Sequence, residues 1–348
     1  MKLGRIVSGI TATALSAAVT VSAAAPASAD AVSDFYKGKT VTLIVGSGEG
    51  GSYDFMGRLI ARHLQSHIPG KPNIIVNNMP GASSVRATGY VYNVALKDGS
   101  VMALVQPTVV LNKLIEPDAK YKPQELNWLG RVAPITLAGV VWHTAPADTV
   151  DEAKKHELIF GASGATGYAA IIPWAMNNIV GTKFRVVRGY KSMASEIVAM
   201  ERGEIQGIGS LGWDYFPSRR PEWVENRTVR PLYVIGMERH DTLPNVPTVV
   251  ELANTDLDRN VMQLFAGTIS IGYAVMTPPG VPSERIDALQ DALAKVAKDE
   301  AFLKDAQKRK LQIDPLTGSQ VQKLVADVVE APEAVVSKMR EVIKPPKK

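Results

Sequence analysis

Two glycine-rich stretches and one histidine pair are the places where residue type and spacing suggest chemistry. Gly46, Gly48 and Gly51 stand in the spacing G-x-G-x-x-G within "LIVGSGEGGSYDFMGRLI", between an apolar run and a helix-like segment. Such a turn points backbone N–H groups and the positive end of a helix dipole at an anion. In a dinucleotide fold an Asp or Glu about 20 residues further on would hold the ribose hydroxyls. That acid is missing, because no Asp or Glu occurs between Asp54 and Asp98. The motif keeps its anion-binding part and lacks its nucleotide-specific part. A second stretch, "IFGASGATGYAA" at 159–170, repeats the logic: Gly161, Gly164 and Gly167 permit close backbone approach, and Ser163 and Thr166 add hydroxyls beside a helix start. Alone, either loop reads as a tight strand-to-helix turn; together they suggest a pair of anion-holding jaws.

Catalytic constellations are weaker. His63 and His67 share a helical face, yet "HLQSH" lacks the Glu of the zinc-protease motif and no third ligand is evident. A place near the positive-charge-favouring C-terminus of their helix accounts for them. Ser210 follows Gly209 but has Ile208 two positions before it, so no nucleophile elbow forms, and His143, His156 and His240 are isolated. No enzyme activity, cofactor or metal is expected.

The jaws need elements to hold them. Apolar, β-rich runs at 40–45, 73–76, 101–105, 158–161, 184–187, 206–210 and 229–235 alternate with helical patterns at 55–64, 82–95, 168–178, 192–202, 282–308 and 318–344, the last interrupted by Pro332. This alternation predicts α/β units. Ahead of them, Lys2 and Arg5 precede an uncharged Ala/Val/Thr/Ser stretch ending in Ala27-Ser28-Ala29, the pattern of a secretory signal at 1–29 cut before Asp30. With no cysteine, neither a disulfide nor a lipid-bearing cysteine is possible. The mature chain is expected to be a soluble periplasmic protein, not a lipoprotein, and long enough for two domains. The charge of +5 includes Lys2 and Arg5, so the mature excess is mild, and no basic cluster interleaved with aromatics points to nucleic acid. The "KPPKK" end reads as a solvated tail.

The chain resembles the Bug family, exported solute-binding proteins of tripartite tricarboxylate transporters. The family's G-G-x-T/S-D-x-x-A-R is matched by Gly50-Gly51-Ser52-Tyr53-Asp54-Phe55-Met56-Gly57-Arg58, and its V-E-N-R-P-G-A-G/S by Val76-Asn77-Asn78-Met79-Pro80-Gly81-Ala82-Ser83. Its P-D-G compares with Lys97-Asp98-Gly99, and its S-S-G-x-G-S/T with Ala162-Ser163-Gly164-Ala165-Thr166-Gly167. P-Y-K-G compares with Gly189-Tyr190-Lys191-Ser192, and G-E-V-D with Gly203-Glu204-Ile205-Gln206. The most specific match is Leu243-Pro244-Asn245-Val246-Pro247-Thr248-Val249-Val250-Glu251 to L-P-D-V-P-T-V-x-E, followed by Pro278-Pro279-Gly280-Val281-Pro282 before a long helix.

The resemblance implies a type II periplasmic binding protein fold, two α/β domains joined by crossover strands with a ligand cleft between them. The expected division is 30–135 plus 265–348 for domain 1 and 136–264 for domain 2. It also implies a small carboxylate, a di- or tricarboxylate or an aromatic acid, gripped by N–H groups, hydroxyls and waters of both loops. Carried over, one jaw is Gly50, Gly51, Ser52, Tyr53 and Asp54, and the other is Ser163, Gly164, Ala165, Thr166 and Gly167. The implied partners are the membrane subunits of a tripartite tricarboxylate transporter, with the receptor itself a monomer. Rival readings are a periplasmic carboxylate sensor for a membrane kinase and a dinucleotide-binding enzyme. Glu49 departs from the family's small or apolar residue and would repel a carboxylate unless it faces away or meets an amino group. Tyr53 and Tyr168 either stack on an aromatic acid or pack against the domain. Gln106, Asp214 and Tyr168 join Glu49 as candidate selectivity residues, while Tyr190 and Lys191 have equally plain structural roles.

Overall fold

The computed structural model describes residues 27–345. The expected signal lies outside them except for its last three residues, which open the helix Ala27–Tyr36. In chain order the strands are β1 (Thr40–Val45), β2 (Asn73–Asn78), β3 (Val101–Leu104), β4 (Asn127–Arg131), β5 (Leu137–Trp142), β6 (Leu158–Ala162), β7 (Phe184–Arg188), β8 (Gly207–Gly212), β9 (Val229–Ile235), β10 (Ala274–Thr277) and β11 (Leu316–Thr317). They form two sheets, ordered β11-β4-β10-β3-β1-β2 and β7-β6-β8-β5-β9.

Each sheet is built round a parallel triplet. β1 pairs with β2 and β3, and β6 with β7 and β8, all parallel. β1 reads TVTLIV with its last three residues buried, the near-continuous apolar run of a strand covered on both faces. Beside the third member of each triplet lies a strand of opposite direction that arrives from the other half. β5, the first strand after the chain leaves the first sheet, pairs antiparallel with β8 and β9. β10, the first after it returns, pairs antiparallel with β3 and β4. The expected α/β class, with two halves joined by crossing strands, is therefore what the chain forms.

The seven strands expected from sequence are present within two residues at each end, whereas β4, β5, β10 and β11 are not among the expected ones. The long C-terminal helices are each two. Ser283–Val296 stops before Glu300–Gln307, which Asp299 caps by accepting from Phe302 N–H, and Gly318–Val329 is separated from Glu333–Val342 at Pro332. The expected domain boundary after 135 falls in the β4–β5 link, but the one after 264 falls inside the helix Asp256–Ile269. That helix packs on Thr108–Ile115, Gly318–Val329 and Glu333–Val342 of the first half and also on β9 of the second. Among the described residues no helix is long and apolar enough to cross a membrane.

Candidate ligand-binding cleft

Between the halves lies a cavity of about 620 Å³. Its walls come from segments beyond the carboxyl ends of the parallel strands, where α/β sheets place ligands. The first half contributes residues after β1, β2 and β3, and the second half those after β6 and β7 together with the end of β8. The halves touch around this space. A Cβ on Gly167 would lie 2.3 Å from Ser83 Oγ across the cleft, and one on Gly48 would lie 3.6 Å from the Lys191 carbonyl. Gly212 faces Ser52 in the same way, at 3.8 Å from its Oγ. A Cβ at Gly167 would force the Ser83 hydroxyl aside and press on its Cβ at 3.3 Å while the halves are together.

Besides the capped start of Met193–Glu201, three α-helix starts border the cavity. Ser52–Leu64 begins after Gly51, Tyr168–Val180 after Gly167 and Thr108–Ile115 after Pro107, none with a side-chain cap. Their first N–H groups have no intrahelical acceptor and carry the positive end of the dipole. Ser83 Oγ and Thr108 Oγ1 are buried without a hydrogen-bond partner. Such atoms call for a ligand or water.

Ser83 is presented by a strained turn. Ala82, Ser83 and Ser84 have φ of 44°, 52° and 73°, three consecutive non-glycine residues in the left-handed region. Ser84 braces it, its Oγ donating to the Gly46 carbonyl at 2.8 Å and accepting from Gln106 N–H at 3.1 Å. This one hydroxyl ties the loops after β1, β2 and β3 together.

Of the expected jaw residues, Gly51, Ser52, Tyr53, Ser163 and Gly167 line the cavity, as do the candidate selectivity residues Glu49, Gln106 and Tyr168. Gly50, Asp54, Gly164, Ala165, Thr166 and Asp214 do not. Gly50 and Asp214 instead border a neighbouring space of about 130 Å³ beside Tyr273. Asp54 faces its own loop. Its carboxylate accepts from Gly50 N–H at 3.0 Å, Arg58 Nε at 3.0 Å and Asn78 Nδ2 at 2.9 Å. Burial opposes its ionisation, but these bonds, Arg58's first, hold its carboxyl below the ordinary value. Between the two readings of the tyrosines, packing prevails. The Tyr53 ring sits 5.0 Å from that of Tyr273, and Tyr168 donates its hydroxyl to the Phe265 carbonyl at 3.0 Å. Burial pushes both phenols up, so both stay neutral donors. Burial likewise raises the Asp214 carboxyl, with His240 opposing.

Sequence reasoning missed Ser83, Thr108 and Glu196. Ser83 closes the Val76–Ser83 motif match but was not carried into the site, nothing local marks Thr108, and Glu196 had one signal, an acid inside the otherwise uncharged "ASEIVAM". Glu196 lines the cavity, is 4% exposed and has no partner among the described residues. Burial alone pushes its carboxyl up to about 8. The histidine pair lies elsewhere, with His63 Nε2 3.3 Å from Asp305 and His67 Nε2 2.9 Å from Asp299. His63 lies in the last turn of Ser52–Leu64 and His67 in the turn beyond it, so the two do not share a helix, and their contacts tie this helix end to Glu300–Gln307 and its cap Asp299. No group of three or more His, Asp or Glu among the described residues could hold a metal ion.

The model of the tripartite tricarboxylate transporter family receptor matches residues 57–340. The chain belongs to this family. Among its relatives, the receptor is 26% identical to Protein BugT of Bordetella pertussis over 296 residues, covering 81% of the receptor and 84% of BugT. Its fold is shared with the solved structure of R. palustris Rpa4515 with adipate, at a TM-score of 0.67 and 21% identity, covering 87% of the receptor and 97% of that chain. MatC from Rhodopseudomonas palustris with bound malate gives 0.67 and 16%, covering 88% and 99%. The receptor is thus a Bug-type periplasmic binding protein.

Proposed function

We propose that the receptor captures a small carboxylate in the 620 Å³ cavity and delivers it to the membrane subunits of a tripartite tricarboxylate transporter. The observation that carries this reading is the meeting of uncapped helix starts from opposite halves, at Gly51 and Gly167, with the partnerless hydroxyls of Ser83 and Thr108. Backbone N–H groups and dipoles neutralise a carboxylate without a full counter-charge, and waters complete the hydrogen bonds. Adipate and malate in the two neighbours of the same fold support the ligand class. Binding works as a population shift. The β4–β5 link and the passage into β10 allow the halves to part, and a ligand touching both favours the closed form by its differential contacts. The cycle needs no reactive group.

A thermal-shift panel on residues 30–348 tests the reading with mono-, di- and tricarboxylates, aromatic acids, amino acids and NAD. At a hundred times its dissociation constant a ligand stabilises by about 2.7 kcal/mol, several degrees of melting temperature. A response confined to carboxylate-bearing compounds and weakened in Ser83→Ala with Thr108→Val is expected. A shift with NAD and none with any acid overturns it.

A further inference from the structure

The proposed carboxylate site accounts for the helix starts but leaves Glu196 unexplained. Glu196 stands in the first turn of the helix Met193–Glu201, whose Ser192 and Ser195 form a capping box and so satisfy the local backbone donors among themselves. The next residues on the buried side, Ile197 and Met200, fix the helix in the core of the second half. The Glu196 carboxyl is thereby held at the wall, open to the cavity and without a side-chain hydrogen bond or ion pair among the described residues. The ionised form has no protein cation and the neutral form no protein acceptor, so only cavity solvent or a ligand satisfies it.

The charged side chains lining the cavity are Glu49, Lys191 and Glu196, two acids against one base. Lys191 and Glu49 are both exposed. Tyr190 is the remaining titratable group on the wall formed by 189–196; Tyr53 and Tyr168 lie on the core side. Backbone dipoles at Gly51 and Gly167 thus favour negative charge on the ligand, while the buried side chain opposite favours positive charge. A plain dicarboxylate could be accepted there only with Glu196 kept protonated as a donor, whereas an ammonium pairs with its ionised form. We infer that Glu196 receives an ammonium group, so that the captured solute is a zwitterionic amino carboxylate. This rests on the carboxylate reading and narrows it.

Calorimetric titration of the receptor with matched pairs tests the inference: glutamate against glutarate, 4-aminobutyrate against butyrate, and phenylalanine against 3-phenylpropionate. In at least one pair the amino member binds tighter by about tenfold or more, the scale of a hydrogen bond between charged groups. Pairing with the ammonium ionises Glu196, so near neutral pH binding releases a proton and the observed heat differs between phosphate and Tris buffers. Both the amino member's advantage and the proton release disappear in Glu196→Gln. If the desamino acids bind as tightly as their partners, or Glu196→Gln keeps the preference, the inference falls while the carboxylate site stands. If no acid of either kind binds, both fall.

Discussion

The two walls of the cleft are held by different means. On the first half, Asp54 gathers Gly50, Arg58 and Asn78, and Ser84 links Gly46 to Gln106, so side chains fix the shape of every loop. On the second half, Ser163 and Thr166 make no side-chain hydrogen bond among the described residues, and the glycine loop is anchored through backbone bonds such as Gly189 N–H to the Ala162 carbonyl. The difference teaches that the first wall is braced mainly by side chains and the second by backbone bonds and the Ser192–Ser195 capping box. Strain is concentrated on the first wall, at 82–84, where bracing is densest.

Breaking the closing wall should have the largest effect. Gly167→Ala puts a methyl 2.3 Å from Ser83 Oγ only when the halves meet, so ligand affinity should fall by about a hundredfold, from an overpacking penalty of a few kcal/mol. The melting temperature of the unliganded protein should stay within a degree or so, because opening relieves the clash; a matching loss of stability would place the contact in the open form too. Next, Asp54→Ala should destabilise the free protein by about 2 kcal/mol in chemical denaturation, since three donors lose their acceptor. The contribution has a sign in pH. A carboxyl held below its ordinary value stabilises above that value and loses the effect as pH falls through the lowered one, so wild type and Asp54→Ala should converge in acid.

Glu196 reverses that sign on the second wall. With its carboxyl raised from 4.5 to about 8, the folded chain holds a proton that the unfolded chain has released. Stability of the unliganded receptor should therefore fall between these values by about 1 kcal/mol per pH unit and level off above. Glu196→Gln should flatten the slope, and a wild-type profile already flat across that window would contradict the buried, partnerless acid. The smallest effect is expected for Ser84→Ala, about 0.5–1 kcal/mol for a bracing hydroxyl. Ligand affinity should drop more than stability does, because the strained Ser83 turn loses its support.

The range of each signal along the chain decides how much of the structure was legible in the sequence. β1 and β6 with their glycine turns and succeeding helices are local patterns, readable within a dozen residues. β10, only AVMT, and β4, which contains Gly130 and Arg131, take their stability from partners far away in the chain, so periodicity does not reveal them. Site residues divide likewise. Gly51, Ser52 and Gly167 lie at helix starts that the motif itself marks, whereas Asp54 and Thr166 match the motif and face elsewhere. Ser83 and Glu196 are placed by the turn at 82–84 and by the helix Met193–Glu201, and only the tertiary fold turns these toward the cleft.

The position of β10 also bears on the order of assembly. It is an interior strand, lying between β3 and β4, and residues 132–273 must be made before it exists. Until then the first sheet is two fragments, β2-β1-β3 and a solitary β4, each with an unsatisfied edge. The second sheet has no such dependence, since β5 precedes β6, β8 and β9. A nascent or translocating chain can therefore finish the second half first, while the first half stays open until its late strand drops into the gap. Pairing of such distant segments is slow. Closure of the first half is therefore the late step of assembly.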